Sequence, residues 1–204
     1  PVVAQAVEDA ARHARARGAS DGAAELAALA LQLTPADSRE REARRIALAE
    51  QLLLAGDFDR ARTEVQRLAD ELPPGDVHAR ALLMLSEIEY WRTGESAALE
   101  LAEQAAAEAT DPLLLGRCYT AVAGYAATCD VPRAAAAANR AVAVLEESPG
   151  VDGPLLAAAL VARVRAQLFK GDGLDRAAAE RAAELERPAP PATVDLRTAF
   201  KLGQ

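Results

Sequence analysis

Apolar residues recur at helical spacing along most of the chain, and short turns divide these apolar stripes into consecutive pairs. The turns fall at five positions: Gly18, Gly56, Gly94, Cys129 and Gly171. A small residue follows each turn by about five positions: Ala23, Ala61, Ala98, Ala134 and Ala177. Neighbouring members of this alanine series are 36 to 43 positions apart, a repeat length typical of helical solenoids. The pattern therefore predicts a stacked helical array, which usually presents a surface for holding a partner.

This repeat predicts an all-α fold, a right-handed α-solenoid of about five helix pairs with the first helix of a sixth. We expect a single repeat domain over 1–204, with units at 2–35, 38–74, 76–111, 112–149 and 153–188 and a partial unit at 189–204. Valine and isoleucine are few beside leucine and alanine, so a sheet is not expected. One helix pair cannot bury its apolar face alone, so the pairs should stack, with their first helices lining the concave side.

Polar residues and prolines next to the turns predict where several helices begin. Asp57 should cap the helix that starts at Phe58, and Ser20 or Asp21 should cap the second helix of the first unit. Pro112 follows a predicted N-cap and fits the first helical position. The last helix of the fifth unit is expected to start at Leu174.

The second unit resembles the tetratricopeptide repeat in residue type and spacing. The matching residues are Leu48-Ala49, Leu52, Gly56-Asp57-Phe58, Ala61, Val65, Leu68 and the closing Pro73. The first unit matches in part, through Ala10-Ala11, Ala14, Gly18, Ala23, Ala27, Ala30 and Pro35. The later units depart from the pattern, because Cys129 replaces the turn glycine and Gly173 reads as an insertion.

A narrower resemblance covers nearly the whole chain. Three stretches carry it, 14–35, 52–68 and 171–186, which are similar to recurrent stretches of large actinobacterial LuxR-family regulators. Those regulators combine an ATP-binding switch domain, a tetratricopeptide-like region and a C-terminal helix-turn-helix. The resemblance implies that this chain is the middle region, with those two domains of the same protein as its partners. Its implied role is to sense an effector or to hold the switch closed.

Charge and motifs limit what the chain itself can bind. The net charge of −8 disfavours direct contact with nucleic acid or an anionic membrane. No G-x-x-x-x-G-K-[ST] motif and no basic recognition helix is present, so ATP and DNA binding are expected in other domains. No apolar run of about 18 residues and no signal peptide is visible, and we expect a cytoplasmic protein.

Few residues suggest chemistry, and the chain is not expected to be an enzyme or to hold a cofactor or metal. His13 and His78 are isolated and are interpreted as surface or groove residues. Cys118 is expected to be a buried, unreactive thiol and Cys129 a more exposed one, without a disulfide between them. Asp57 is interpreted as a helix cap rather than a calcium ligand.

Aligning the units places a set of apolar, aromatic and basic residues near the concave face as candidate contacts. They are Ile46, Leu53, Met84, Trp91, Arg92 and Tyr119, with Tyr90 and Phe169 nearby. Such a surface suits a peptide, a small hydrophobic effector or another domain. The alternative is that Trp91 and Tyr90 fill the core between helix pairs.

The first functional hypothesis is a non-catalytic, effector- or partner-sensing module of a transcriptional regulator. The second is a stand-alone tetratricopeptide scaffold or adaptor, and the third is an unrecognised enzyme. The chain starts without methionine and ends within an amphipathic segment at 194–202, so we expect an excerpt of a longer protein. Self-association is predicted through apolar faces at the two ends, carried by Val3, Val7, Leu196 and Phe200.

Overall fold

A computed structural model of the chain describes residues 2–186, which form ten α-helices and no strand. The helices are α1 Val2–Ala16, α2 Ser20–Gln32, α3 Glu40–Ala55, α4 Phe58–Glu71, α5 Asp76–Thr93, α6 Glu95–Glu108, α7 Pro112–Ala126, α8 Val131–Glu147, α9 Gly153–Lys170 and α10 Arg176–Glu186. The all-α prediction is confirmed, and the ten helices form the five predicted pairs. The partial sixth unit at 189–204 lies outside the described residues.

The described helices fall into two compact units. The N-terminal unit, 2–72, contains α1 to α4, and the C-terminal unit, 73–186, contains α5 to α10. Each helix packs against the next one along the chain within its unit. In the C-terminal unit the first helices of the pairs also touch, α5 with α7 and α7 with α9, and together they form what we term the first-helix layer. The expectation of a single domain stays a prediction.

Alanine occupies the buried positions that the repeat predicts after the turns. Ala23, Ala61, Ala98 and Ala134, which recur after the turns, are each 0% exposed. A methyl group at these positions lets the two helices of a pair approach closely while the interior stays fully packed. The fifth pair differs from the prediction, because Ala177 is exposed and the buried contact is made by Ala178.

That shift in the fifth pair follows from its longer turn. Gly171 and Gly173 both have positive φ values, of 89° and 86°, so the chain continues beyond the first glycine before it becomes helical again. Asp175 then accepts a hydrogen bond from the backbone N–H of Ala178 at 3.0 Å. The helix α10 therefore begins at Arg176, two residues later than predicted.

Other helix starts agree with the sequence, with one exception. The side chain of Asp57 accepts from the backbone N–H of Arg60 at 3.2 Å, which confirms it as the cap of α4. Asp111 accepts from Leu114 N–H at 2.8 Å and places Pro112 in the first turn of α7. The prediction for α2 was wrong: the helix begins at Ser20 itself and has no side-chain cap.

A buried arginine links the helices of the N-terminal unit. Arg44 on α3 is 6% exposed and pairs with Glu8 on α1 at 3.1 Å. It also donates to the hydroxyl of Thr34 at 2.9 Å, and that hydroxyl in turn donates to the carbonyl of Ala30 on α2. Because these hydrogen bonds satisfy the guanidinium from several directions, the buried charge is tolerated and joins α1, the end of α2 and α3.

Two findings concern the wider surface of the described residues. No helix within 2–186 is both long enough and apolar enough to cross a bilayer. Of the residues expected to support self-association, Val3 is 64% exposed and Val7 is partly buried. Leu196 and Phe200 lie outside the described residues.

Candidate functional site

The six candidate contact residues do not form one cluster. Ile46 and Met84 are 5% and 6% exposed and belong to the buried interior, and Leu53 is partly buried. Tyr119 packs against the core cluster formed by α8, α9 and α10, and the Arg140 guanidinium carbon lies 5.8 Å from its ring centroid.

Trp91 and Arg92 are the exposed members of the set, and both lie at the C-terminal end of α5. Trp91 is 63% exposed, so it does not fill the core as the alternative interpretation required. The surface at this end of α5 is therefore the part of the predicted contact set that is open to a partner.

Trp91 is the outer member of a three-ring aromatic stack. Its ring meets that of Tyr90 edge-on, with centroids 5.4 Å apart and an interplanar angle of 75°. Tyr90 stacks on Tyr125 of α7 with centroids 5.1 Å apart. Exposure falls along the series, from 63% at Trp91 through 37% at Tyr90 to 9% at Tyr125. The buried ring anchors the exposed ones, and offset and edge-on geometries are those that aromatic pairs prefer.

Arg165 reaches the same region from α9. Its Nη2 donates to the carbonyl of Gly124 on α7 at 3.3 Å, while its Nε is buried and has no hydrogen-bond partner. Burial lowers the pKa of Arg165 below its usual value, and the negative charges of Glu95 and ionised Tyr90 act in the opposite direction. An arginine remains protonated despite such a shift, so a positive charge is held beside the aromatic stack. We term Tyr90, Trp91, Tyr125 and Arg165 the aromatic–arginine cluster.

Charge is distributed unevenly among the helices of the C-terminal unit. The charged residues of α7 and α9 are all basic: Arg117, Arg163, Arg165 and Lys170. The charged residues of α6 are all acidic: Glu95, Glu100, Glu103 and Glu108. A chain with a net charge of −8 thus carries two adjacent helices without a single carboxylate side chain. Basic side chains are thus concentrated on α7 and α9, and acidic side chains on the neighbouring α6.

The other two cations of α9 each lie within ion-pair distance of a carboxylate. Lys170 pairs with Asp172 at 2.8 Å, and Arg163 lies 3.8 Å from the carboxylate of Asp175. Within residues 2–186 no carboxylate forms an ion pair with Arg165. Arg165 is therefore the part-buried cation of this layer that lacks a partner of opposite charge.

Sequence reasoning did not identify Tyr125 or Arg165. Each belongs to a helix that reads as ordinary alanine-rich core, and their proximity depends on the packing of α7 between α5 and α9. One signal was available in the sequence: α7 and α9 have no acidic residue in an otherwise acidic chain.

The side chain of His78 lies against the carboxylate of Glu108. His78 Nδ1 lies 2.6 Å from Glu108 Oε2, and the same carboxylate accepts from Gly75 N–H at 3.2 Å. Burial raises the pKa of Glu108, but the hydrogen bonds from His78 and Gly75 outweigh it and leave the pKa below its usual value. Within 2–186 no group of three potential metal ligands is present.

The two thiols differ in accessibility. Cys118 is 0% exposed, and burial raises its pKa to about 12. Cys129 is exposed, and both cysteines are free. The structure confirms the predicted buried position of Cys118 and the predicted exposed position of Cys129.

The N-terminal unit has a small surface depression. Its volume is about 250 Å³, and its lining comprises Leu48, Leu52, Asp59, Arg60, Thr63 and Glu64. The Arg60 guanidinium on its rim is held by Glu25 at 3.1 Å and by Asp57 at 3.4 Å. The depression is below the usual size of small-molecule sites, about 300–1,000 Å³.

Comparison with solved structures identifies tetratricopeptide-like proteins. The chain is similar to the crystal structure of a Podosopora anserina putative kinesin light chain with nearly identical TPR-like repeats. The TM-score is 0.63 at 16% identity, covering 91% of this chain and 97% of that one. A form of the same protein with one substituted residue gives a TM-score of 0.64 at 16% identity, covering 96% of each chain. The tetratricopeptide-like solenoid fold is thereby confirmed.

Sequence-based comparisons give no match. No protein-family model and no curated protein matches the chain.

Proposed function

We propose that this chain is a non-catalytic protein-interaction module that binds a polypeptide segment on the first-helix layer of its C-terminal unit. The observation that carries the proposal is the 63% exposure of Trp91 beside the anchored Tyr90–Tyr125 stack. Tryptophan, tyrosine and arginine are the residues that most often dominate binding energy at protein interfaces. A tetratricopeptide-like array supplies rigid helices from which such side chains can project.

We further propose that this module is the partner- or effector-sensing region of a cytoplasmic transcriptional regulator of the ATP-binding LuxR type. Support comes from the resemblance of 14–35, 52–68 and 171–186 to those regulators. The module would pack against the switch domain and release it when an effector competes for the same surface. Such coupling requires the effector to bind the released state more tightly than the packed one.

A stand-alone scaffold is the second candidate. It is favoured by the kinesin light chain structures, which consist of tetratricopeptide-like repeats over nearly the same length as this chain. The complete gene separates the two proposals. A phosphate-binding motif upstream and a basic helix-turn-helix downstream would support the regulator, whereas an open reading frame without them would support the scaffold.

The interaction function is tested with a displayed library of random dodecapeptides. The purified chain is immobilised, bound peptides are sequenced, and the selection is repeated with Trp91→Ala. We expect enriched peptides from the unmodified chain and loss of most of them with the variant, because truncating a central aromatic contact typically removes more than about 1 kcal/mol of binding energy. Leu54→Ala is the matched control, since Leu54 is an apolar residue with 53% exposure in the other unit.

Two results would contradict the interaction function. The first is a library in which no peptide is enriched over bare support. The second is a set of enriched peptides that Trp91→Ala leaves unchanged.

A further inference from the structure

Arg165 is a cation without a counter-ion in a place where charge is costly. Its Nε is buried and unpartnered, and its only hydrogen bond within 2–186 runs from Nη2 to the carbonyl of Gly124. Taking an N–H donor away from water without a partner destabilises the folded chain, and the cost is larger for a charged group. A hydrophobic or neutral residue would avoid this cost at the same position. Nη1, unlike Nε, is not buried, so a negatively charged group that arrives from outside can reach the end of the guanidinium.

The carboxylate of Glu95 does not serve as that group. Glu95 acts on Arg165 electrostatically, but it forms no ion pair with it and accepts instead from the hydroxyl of Thr128 at 2.7 Å. The helices α7 and α9 supply no carboxylate of their own. The local charge is complementary to an acidic group, although the chain as a whole is acidic.

The position of the aromatic rings indicates what accompanies the charge. Trp91 lies on α5 and Arg165 on α9, with α7 packed between the two helices. Neighbouring helices pack about 8–10 Å apart, and an extended peptide advances about 3.3 Å per residue. A segment of a few residues can therefore touch both groups.

We propose that Arg165 binds a side-chain carboxylate of a partner polypeptide while Trp91 and Tyr90 contact an apolar side chain close to it in the same segment. The proposal rests on the interaction function above and specifies the chemistry of its ligand. The planar guanidinium can donate two parallel N–H bonds to one carboxylate, which lysine cannot do. The partner is thus an acidic segment that carries an aromatic or long aliphatic residue.

The first test uses the same dodecapeptide library and asks which residues are enriched. We expect selected peptides to contain Asp or Glu within a few positions of Phe, Tyr, Trp, Leu or Met. One selected peptide is then synthesised together with its Asp→Asn or Glu→Gln counterpart. Binding of both is measured through the fluorescence of Trp91, the single tryptophan of the chain.

The second test is a double-mutant cycle that combines a substitution of Arg165 with the amide exchange in the peptide. The amide peptide should bind the unmodified chain at least about tenfold more weakly, the range of a charge-assisted hydrogen bond. Arg165→Gln should weaken binding of the acidic peptide by a similar factor, and it should weaken binding of the amide peptide much less. The affinity of Arg165→Lys for the acidic peptide should lie between those of the unmodified chain and Arg165→Gln, because lysine keeps the charge but lacks the planar guanidinium. Raising the salt concentration should weaken binding of the acidic peptide and should change binding of the amide peptide little.

Controls keep these outcomes separate from folding defects. Arg181→Gln removes an exposed arginine of α10 that pairs with Glu146 and should leave binding unchanged. Circular dichroism checks that each variant remains helical. The Asp→Asn exchange needs no change in the protein, so it decides the question even where Arg165→Gln fails to fold.

The outcomes distinguish the carboxylate proposal from the interaction function. Enriched peptides without an acidic preference, or an acidic peptide whose affinity survives both Arg165→Gln and its own Asp→Asn exchange, would overturn the carboxylate proposal and leave the interaction function standing. Tighter binding of a single-stranded oligonucleotide than of any selected peptide would also overturn it. A library with no enriched peptide contradicts the interaction function itself.

Discussion

The ring of Tyr90 stacks on the ring of Tyr125 with centroids 5.1 Å apart, and this contact joins the exposed end of α5 to α7. Tyr125 is 9% exposed whereas Tyr90 is 37% exposed. Tyr125 is therefore packed inside the protein over most of its surface, and Tyr90 over less of it. The inner ring is a structural anchor, and the outer ring is available to a partner.

Replacement of these rings should separate stability from binding. Tyr125→Ala should lower the free energy of unfolding by about 3 kcal/mol, because it leaves a cavity in the core of the C-terminal unit. Tyr90→Ala should cost about 1 kcal/mol, since much of that ring is already in water. Urea unfolding followed by circular dichroism measures both values. Equal losses in the free energy of unfolding for the two variants would show that Tyr125 contributes no more to stability than Tyr90.

The two glycines within α7 should respond oppositely to alanine. A Cβ at Gly116 would lie 2.5 Å from Cγ of Leu145, a residue that is 0% exposed, so Gly116→Ala should destabilise by about 1–3 kcal/mol. A Cβ at Gly124 would meet only Nη2 of Arg165 at 3.6 Å, an ordinary contact. Gly124→Ala should therefore stabilise by about 0.5–1 kcal/mol through helix propensity. Thermal melts of both variants test the contrast, and a stabilising Gly116→Ala would contradict the packing of α7 on α8.

Acid should destabilise the chain partly through Glu108. Its pKa is lowered in the folded state, so its contribution is fully present above the ordinary pKa of a glutamate and is lost as the pH falls through the folded value. Glu108→Gln should therefore flatten the loss of stability on acidification, as measured by unfolding at a series of pH values. Glu100→Gln, an exposed position on the same helix, is the control. An unchanged pH profile for Glu108→Gln would disprove this role.

The two cysteines should react with a thiol reagent at very different rates. At about pH 8 the buried Cys118, with a pKa raised to about 12, is almost entirely protonated, whereas Cys129 is exposed. One thiol should react promptly and the second only as fast as the chain opens. Cys129→Ser should abolish the fast phase, and a remaining fast phase would show that Cys118 is accessible.

The emission of Trp91 should resemble that of tryptophan in water. Its 63% exposure predicts a red-shifted spectrum and ready quenching by acrylamide in the folded chain. Dilution should not change the spectrum if the residue is free, and a blue shift with increasing concentration would show that Trp91 becomes buried between copies of the chain. A blue-shifted, quencher-resistant signal at the lowest concentration would rule out Trp91 as a contact surface.

Local features of the fold were predictable because they depend on neighbouring residues. Asp57 caps α4, and Ala61 makes the close helix contact that the repeat requires. The fifth pair was displaced by one residue because the conformation of the turn around Gly173 decides where α10 can start. Periodicity fixes the spacing inside a helix but does not count the residues of an irregular turn.

The candidate surface was predictable only in part, because it depends on how helices far apart in the sequence meet. Trp91 was identified as an aromatic residue at a first-helix position, and it is exposed. Met84 shared that assignment but is buried, since α5 is buried on every side along its middle. Arg165 was missed because its importance comes from Gly124 and Tyr90, which lie on two other helices.

The zero-exposure alanines of the repeat affect how the gene can vary. Ala23, Ala61, Ala98 and Ala134 have no solvent-accessible surface, and glycine is the only smaller residue. Single-nucleotide changes of an alanine codon lead mostly to larger residues such as valine, threonine or glutamate, each of which would force two helices apart. Among the described pairs, inherited variation should therefore be most restricted at these smallest side chains, while the exposed faces of the same helices remain free to diversify.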